Sequence, residues 1–206
     1  MTARTEDRST PGPGAGGGLE GLAALVSRAE CAGRSAPPVE TWHPAACGDI
    51  DIVIAADGTW YHGGQPILRE ALTRLFATVL RRDADGDTFL VTPAEKLRIT
   101  VEDAPFLAVE MDAGDPDAPV LTFRTNMGDV VMADAEHPLR LCSDARGFVP
   151  YLRVRGRLEA KLTRSLAVVL ADRLQVDGDR AYVLSAGTRF YVADDGSSPQ
   201  IQGADA

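Results

Sequence analysis

Apolar and polar residues alternate with a period of two along most of this chain, and repeat with a helical period in only three stretches. Ile50, Ile52 and Ile54 are interleaved with Asp49, Asp51 and Val53, the spacing of a half-buried strand. Asp57-Gly58 supplies a hairpin turn, and Thr59 to His62 reads as the return strand. After Pro93 the alternation is clean. Leu97, Ile99 and Val101 fall on one face, and Lys96, Arg98, Thr100 and Glu102 on the other. Further strands are predicted over 88–92, 106–112, 119–125, 130–132, 139–142, 150–152, 180–184 and 188–193, with turns rich in glycine, proline and aspartate between them. The helical stretches are 19–31, 66–82 and 157–173. In the second, Leu68, Ala71, Leu72, Leu75, Phe76 and Val79 form one stripe, and Pro66 sits where a first helical turn tolerates proline.

The last two helical stretches resemble one another. At an offset of 90, Leu68, Leu72, Thr73, Arg74, Ala77, Val79 and Leu80 match Leu158, Leu162, Thr163, Arg164, Ala167, Val169 and Leu170. Each stretch is followed by Asp-Gly-Asp, at 85–87 and 177–179. The fold class read from these patterns is α+β, with mostly antiparallel sheets and two repeated strand–strand–helix–strand–strand motifs joined by a β-meander. The predicted organisation is a disordered Gly/Pro tail over 1–18, a short helix and linker over 19–41, an N-terminal repeat half over 42–112, and the meander with a C-terminal half over 113–206.

Composition narrows the chemistry. The chain has 206 residues and a net charge of −9. An acidic surface disfavours nucleic acid and anionic membranes, since polyphosphate affinity comes from basic patches. No apolar run approaches the ~20 residues that span a bilayer, and no secretory leader is read at the N-terminus. Cys31, Cys47 and Cys142 are odd in number and far apart, which predicts reduced thiols and a cytoplasmic location. No phosphate-binding loop, Gly-x-Ser-x-Gly elbow or His-Glu-x-x-His is present. Gly12, Gly14 and Gly17 imitate a dinucleotide fingerprint, but no strand precedes them. His43 and Cys47 are too few for a zinc site, so no metal and no cofactor is expected. Glu102 and Asp103 are neighbours on a predicted strand end and face opposite ways, so they cannot share a proton.

The residues from Cys47 to Phe106 carry a series of ordered motifs: Cys-Gly-Asp-Ile-Asp-Ile, Asp-Gly-Thr-Trp-Tyr-His, Pro-Ile-Leu-Arg, Leu-Val-Thr-Pro-Ala-Glu-Lys and Val-Glu-Asp-Ala-Pro-Phe. Thr-Asn-Met-Gly-Asp at 125–129, Pro-Tyr-Leu-Arg-Val-Arg-Gly at 150–156 and Leu-Glu-Ala at 158–160 continue it. Over roughly residues 42–193 the chain resembles the bacterial family known as domain of unknown function 1285. The resemblance implies a two-part α+β fold, with ligand sensing or signalling as suggested roles.

With no recognised nucleophile or metal set, the first functional reading is a non-enzymatic ligand-binding or regulatory module. An enzyme with a polar active site at the repeat junction and a protein-interaction scaffold are the alternatives. The expected partner is a small anionic molecule or a protein. The candidate ligand-binding residues are Arg69, Thr92, Glu95 and Lys96, joined by Tyr151 and Arg155. Pro66 places Arg69 in the first turn of its predicted helix, where free backbone N–H groups favour an anion. Pro93 bends the chain so that Thr92, Glu95 and Lys96 can share an edge.

Overall fold

The computed structural model describes residues 37–144, 147–194 and 201–203. The tail predicted over 1–18 and the helix predicted over 19–31 lie outside the described residues. Among those described, strands account for 54% and helices for 13%.

A 3-10 turn at Val39–Thr41 leads into β1 (Ala46–Ile54), β2 (Trp60–His62) and β3 (Gln65–Pro66). Then come α1 (Glu70–Thr78), β4 (Leu80–Arg82), β5 (Thr88–Val91) and β6 (Glu95–Val101). These strands form one sheet in the order β3-β2-β1-β6-β5-β4, with β1 and β6 parallel. The chain leaves this sheet between Val101 and Phe106, ahead of the division predicted at 112. The second sheet is built from β7 (Phe106–Asp115), β8 (Ala118–Thr125), β9 (Val130–Met132), β10 (Leu139–Asp144), β11 (Gly147–Arg155) and β12 (Leu158–Leu162). After α2 (Arg164–Ala171) it gains β13 (Gln175–Asp177), β14 (Arg180–Ser185), β15 (Thr188–Asp194) and β16 (Ile201–Gly203). Its order is β13-β14-β15-β10-β11-β12-β7-β8-β9, with β16 against β15.

The larger sheet bends round into a half-barrel. The end of β14 returns to β8: Leu121 N–H donates to Ser185 Oγ at 2.8 Å, and the Ser185 hydroxyl donates to the Ala133 carbonyl at 2.7 Å. One continuous core joins both sheets. It includes Ile52, Ile54, Trp60 and Phe76 from the first half and Phe106, Leu121, Phe123 and Phe190 from the second.

The α+β expectation is overturned: the protein is mostly β, with two mixed sheets and two short helices. The helices predicted over 66–82 and 157–173 are each part strand. Leu158, Ala160 and Leu162 are buried while Glu159 and Lys161 are half-exposed, so this segment satisfies a period of two as well as a helical one. Its backbone groups pair with β11 and β7, and that tertiary pairing overrides the helix-forming tendency of leucine, glutamate, alanine and lysine. Thr163 then stands at the N-cap position of α2. In the first half, Leu80 to Arg82 leave the helix to pair with β5.

The offset-90 identities therefore do not mark equivalent positions. Leu72 lies half-buried within α1, whereas Leu162 closes a strand at 2% exposure. What the halves have in common is a strand order: β3-β2-β1-β6-β5-β4 in one, β12-β11-β10-β15-β14-β13 in the other. The parallel pairs β1–β6, β10–β15 and β7–β12 had no counterpart in the sequence reading. Among the described residues no helix is long and apolar enough to cross a membrane.

Candidate functional site

Among the described residues a cleft of about 420 Å³ lies at the end of the first sheet, where the chain crosses to the second. Three local events build it. First, the turn between β4 and β5 is tied by Asp87 N–H donating to Asp85 Oδ1 at 3.0 Å and by Gly86, whose φ of +96° suits glycine. This turn sets Arg82 opposite Thr88, and Thr88 opposite Ile99, so the three form a cross-strand row. Second, the parallel pairing of β1 with β6 brings Asp49 opposite Arg98. Arg98 Nε donates to Asp49 Oδ1 at 2.7 Å and its Nη1 to Asp87 Oδ2 at 3.4 Å. Third, the crossing segment places Asp103 and Pro105 on the cleft wall.

Asp103 links the cleft to the second sheet. Its Oδ1 accepts from the Tyr151 hydroxyl at 2.8 Å and its Oδ2 from Lys161 Nζ at 2.6 Å. Arg140, Tyr151 and Lys161 stand opposite one another on β10, β11 and β12. The Arg140 guanidinium lies 4.0 Å from the Tyr151 ring centroid and grips Glu159 with two hydrogen bonds, at 3.0 and 2.6 Å. Its Nη1 donates to Cys142 Sγ at 3.1 Å. The Glu159 hydrogen bonds raise Arg140 still further above the ordinary arginine value.

The carboxyls of Asp57, Asp83, Glu110 and Asp134 are displaced to lower values. Asp57 is lowered by the Thr59 backbone N–H, and Glu110 by hydrogen bonding from Arg124. For Asp83 and Asp134 burial alone would raise the value. Lys96 and Arg81 outweigh it at Asp83, and the backbone N–H groups of His137 and Glu136 outweigh it at Asp134. Such groups stay ionised near neutral pH and serve as acceptors and counter-charges. No group of three or more His, Cys, Asp or Glu side chains is placed to hold a metal ion among the described residues.

Two family models match end to end. One is described as the N-terminal domain of a domain of unknown function, DUF1285, over residues 37–104; the other is its C-terminal domain, over 105–192. The chain belongs to the DUF1285 family. A solved DUF1285 family protein from Silicibacter pomeroyi DSS-3 is 37% identical, with a TM-score of 0.76, covering 85% of this chain and 93% of that one. A second DUF1285 family structure, from Shewanella baltica OS155, is 28% identical with a TM-score of 0.47, covering 59% of this chain and 90% of that one. No curated protein matches. The boundary between the two DUF1285 domains, at 104–105, falls beside Asp103 on the cleft wall.

The six residues singled out from sequence are dispersed around this DUF1285 fold. Arg69 is exposed, in extended conformation just before α1. Thr92 is buried and structural. Its hydroxyl accepts from Ala94 and Glu95 N–H at 3.3 and 3.1 Å, fixing the corner made by Pro93. Glu95 begins β6, half-exposed. Lys96 lies 3.7 Å over the Phe89 ring and donates to Asp83 Oδ2 at 2.5 Å. Tyr151 reaches the cleft wall through Asp103. Arg155 instead ties the two halves, its Nη1 donating to Asp129 at 2.9 Å and its Nη2 to the Ala77 carbonyl at 2.5 Å. The cleft residues Asp49, Arg82, Asp87 and Arg98 were not among the six. The sequence signals close to them are the Asp-Gly-Asp turn at 85–87 and the alternating strands that carry Asp49 and Arg98.

Asp83, which pairs with Arg81 and Lys96 outside the cleft lining, gives the first sheet a pH signature. Its carboxyl sits below the ordinary 3.8 in the folded protein. Ionised Asp83 thus favours folding above the unfolded-state value, and that contribution is lost as pH falls through the lower folded value. Urea unfolding at about pH 7 and about pH 3 should show a larger acid loss for wild type than for Asp83→Asn. Equal losses would show that the Lys96 and Arg81 contacts do not bias folding.

Proposed function

We propose that this protein is a non-enzymatic, regulatory small-molecule-binding module whose ligand occupies the cleft at the junction of the two sheets. The cleft itself carries the reading. Its volume of about 420 Å³ falls in the range of small-molecule sites. Its lining pairs charged groups with an apolar wall of Ile50, Ile99, Val101 and Pro105. Its position supports a regulatory role. A ligand there meets the first sheet directly and, through Asp103, the Tyr151–Lys161 row of the second. A ligand that favours one setting of that contact shifts the population of the whole protein. The place of action in this reading is the cytoplasm, in keeping with the unpaired thiols of Cys47 and Cys142.

The test is a thermal-shift screen of a metabolite library against wild type and Thr100→Trp, since Thr100 lines the cleft and is exposed on β6. Compounds that stabilise wild type by a few degrees should lose that effect in the tryptophan variant. No stabilising compound of any class, or shifts that persist in Thr100→Trp, would overturn the reading.

One observation favours an enzyme instead: a tyrosine hydroxyl and a lysine converge on one carboxylate at the cleft wall. On that reading a ligand found in the screen should be chemically altered on prolonged incubation with wild type, and unaltered with Tyr151→Phe.

A further inference from the structure

We infer that the cleft takes a small oxyanion, a carboxylate or a phosphate monoester, gripped by the guanidinium of Arg82. The inference rests on the reading of the cleft as a binding site and names the chemistry of its ligand.

Each carboxylate on the cleft wall has a basic partner, Asp49 and Asp87 sharing the one guanidinium of Arg98, whereas one lining cation, Arg82, has no carboxylate partner among the described residues. Asp49 and Asp87 are both engaged by Arg98. Asp103 is engaged by Lys161 and by the Tyr151 hydroxyl. A cationic ligand would have to displace an ion pair already in place. Arg82 differs. Among the described residues its one hydrogen bond is from Nε to the Gly86 carbonyl, at 3.1 Å, and it forms no ion pair. Its neighbour Arg81 shows the contrast: Arg81 meets Asp83 and the carbonyls of Val39 and Trp42.

Arg82 is also pre-positioned. It is half-buried at the end of β4, and its backbone is held opposite Thr88. The bond to Gly86 restrains the guanidinium plane and leaves both terminal nitrogens to donate side by side, the arrangement that matches two oxygens of a carboxylate or phosphate. Restraint of this kind reduces the ordering cost of binding. Thr88 and Thr100 add hydroxyl groups to the lining, and Ile50, Ile99 and Val101 add apolar surface. The ligand so described is an oxyanion on a short, partly apolar body. In a protein of net charge −9, a half-buried arginine without a carboxylate is the group that selects it.

Isothermal titration with inorganic phosphate, glycerol 3-phosphate, succinate and putrescine tests this on wild type, Arg82→Gln, Arg82→Lys and Thr100→Trp. Circular dichroism and melting curves check that each variant is folded. An oxyanion should bind wild type, weaken at least about tenfold in Arg82→Gln, and weaken less in Arg82→Lys, which keeps the charge but loses the fork. It should also be lost in Thr100→Trp. The phosphate and carboxylate arms tell the two oxyanions apart. Binding of putrescine alone, blocked by Thr100→Trp, would overturn the inference and leave the cleft a binding site. Oxyanion binding untouched by Arg82→Gln, or no oxyanion binding, would overturn the inference. If the broader metabolite screen is empty as well, the binding-module reading falls with it.

Discussion

Phe106→Ala is expected to destabilise the protein by about 3–5 kcal/mol, the range for emptying a well-packed phenylalanine site. Phe106 is 0% exposed and opens β7, the first strand of the second sheet. It stands opposite Ala160 in the parallel pairing with β12. The Arg155 guanidinium lies 5.0 Å from its ring centroid, and that arginine also donates to the Ala77 carbonyl in the last turn of α1. The ring therefore supports the place where the halves meet. Its loss removes apolar contacts, leaves a cavity and takes away the aromatic face beneath a cation. Urea denaturation followed by tryptophan fluorescence and far-ultraviolet dichroism measures the effect. Wild type should show a single transition by both probes. A cost below about 1 kcal/mol would show that the core is not shared between the sheets.

The second large effect is expected at Asp103. Its side chain and that of Lys161 are 17% and 24% exposed. Asp103→Ala should cost about 2–3 kcal/mol, below the 3–5 kcal/mol of a fully buried pair because water still reaches both groups. The cost arises from taking the carboxylate away from the Lys161 ammonium and removing the acceptor that Asp103 offers the Tyr151 hydroxyl. Removing the lysine as well should relieve it: Asp103→Ala/Lys161→Met should be more stable than Asp103→Ala alone, by about 1 kcal/mol. If the double variant is merely the sum of the singles, the two groups are not coupled and the wall of the cleft is held by other contacts.

The strands were legible because their signal is local. Ile50, Ile52 and Ile54 alternate with Asp49, Asp51 and Val53, and Trp60 to His62 follow an Asp-Gly turn; both segments form where the pattern puts them. The helices were misjudged because the pattern was two-valued. Leu158-Glu159-Ala160-Lys161-Leu162 fits both periods, and only the neighbouring strands decide. The site was legible at its margin. Tyr151 was singled out and meets the cleft wall, and Glu102 and Asp103 do turn apart: Glu102 accepts from Ala56 N–H, Asp103 from Tyr151 and Lys161. The middle of the site was hidden by distance along the chain. Arg98 and Asp49 are 49 residues apart and meet only because β1 and β6 are parallel. No local pattern announces such a pairing. Arg82 ends the stretch read as a helix over 66–82, and no local pattern marks it as part of a cleft.

The parallel pairs also set an order of events for a chain emerging from the ribosome. The first sheet is complete once Val101 has been made, since all its strands precede that residue. It can assemble while the rest is still being synthesised, as amino-terminal units commonly do. The second sheet cannot close in that way. β7 must wait for β12, and Leu121 must wait for Ser185, 64 residues later. Closing loops of that length puts the second half among the slower topologies, with folding in the millisecond-to-second range. Until then β7 has one edge unpaired, and Phe106 at its start can pack only against the half that is already folded.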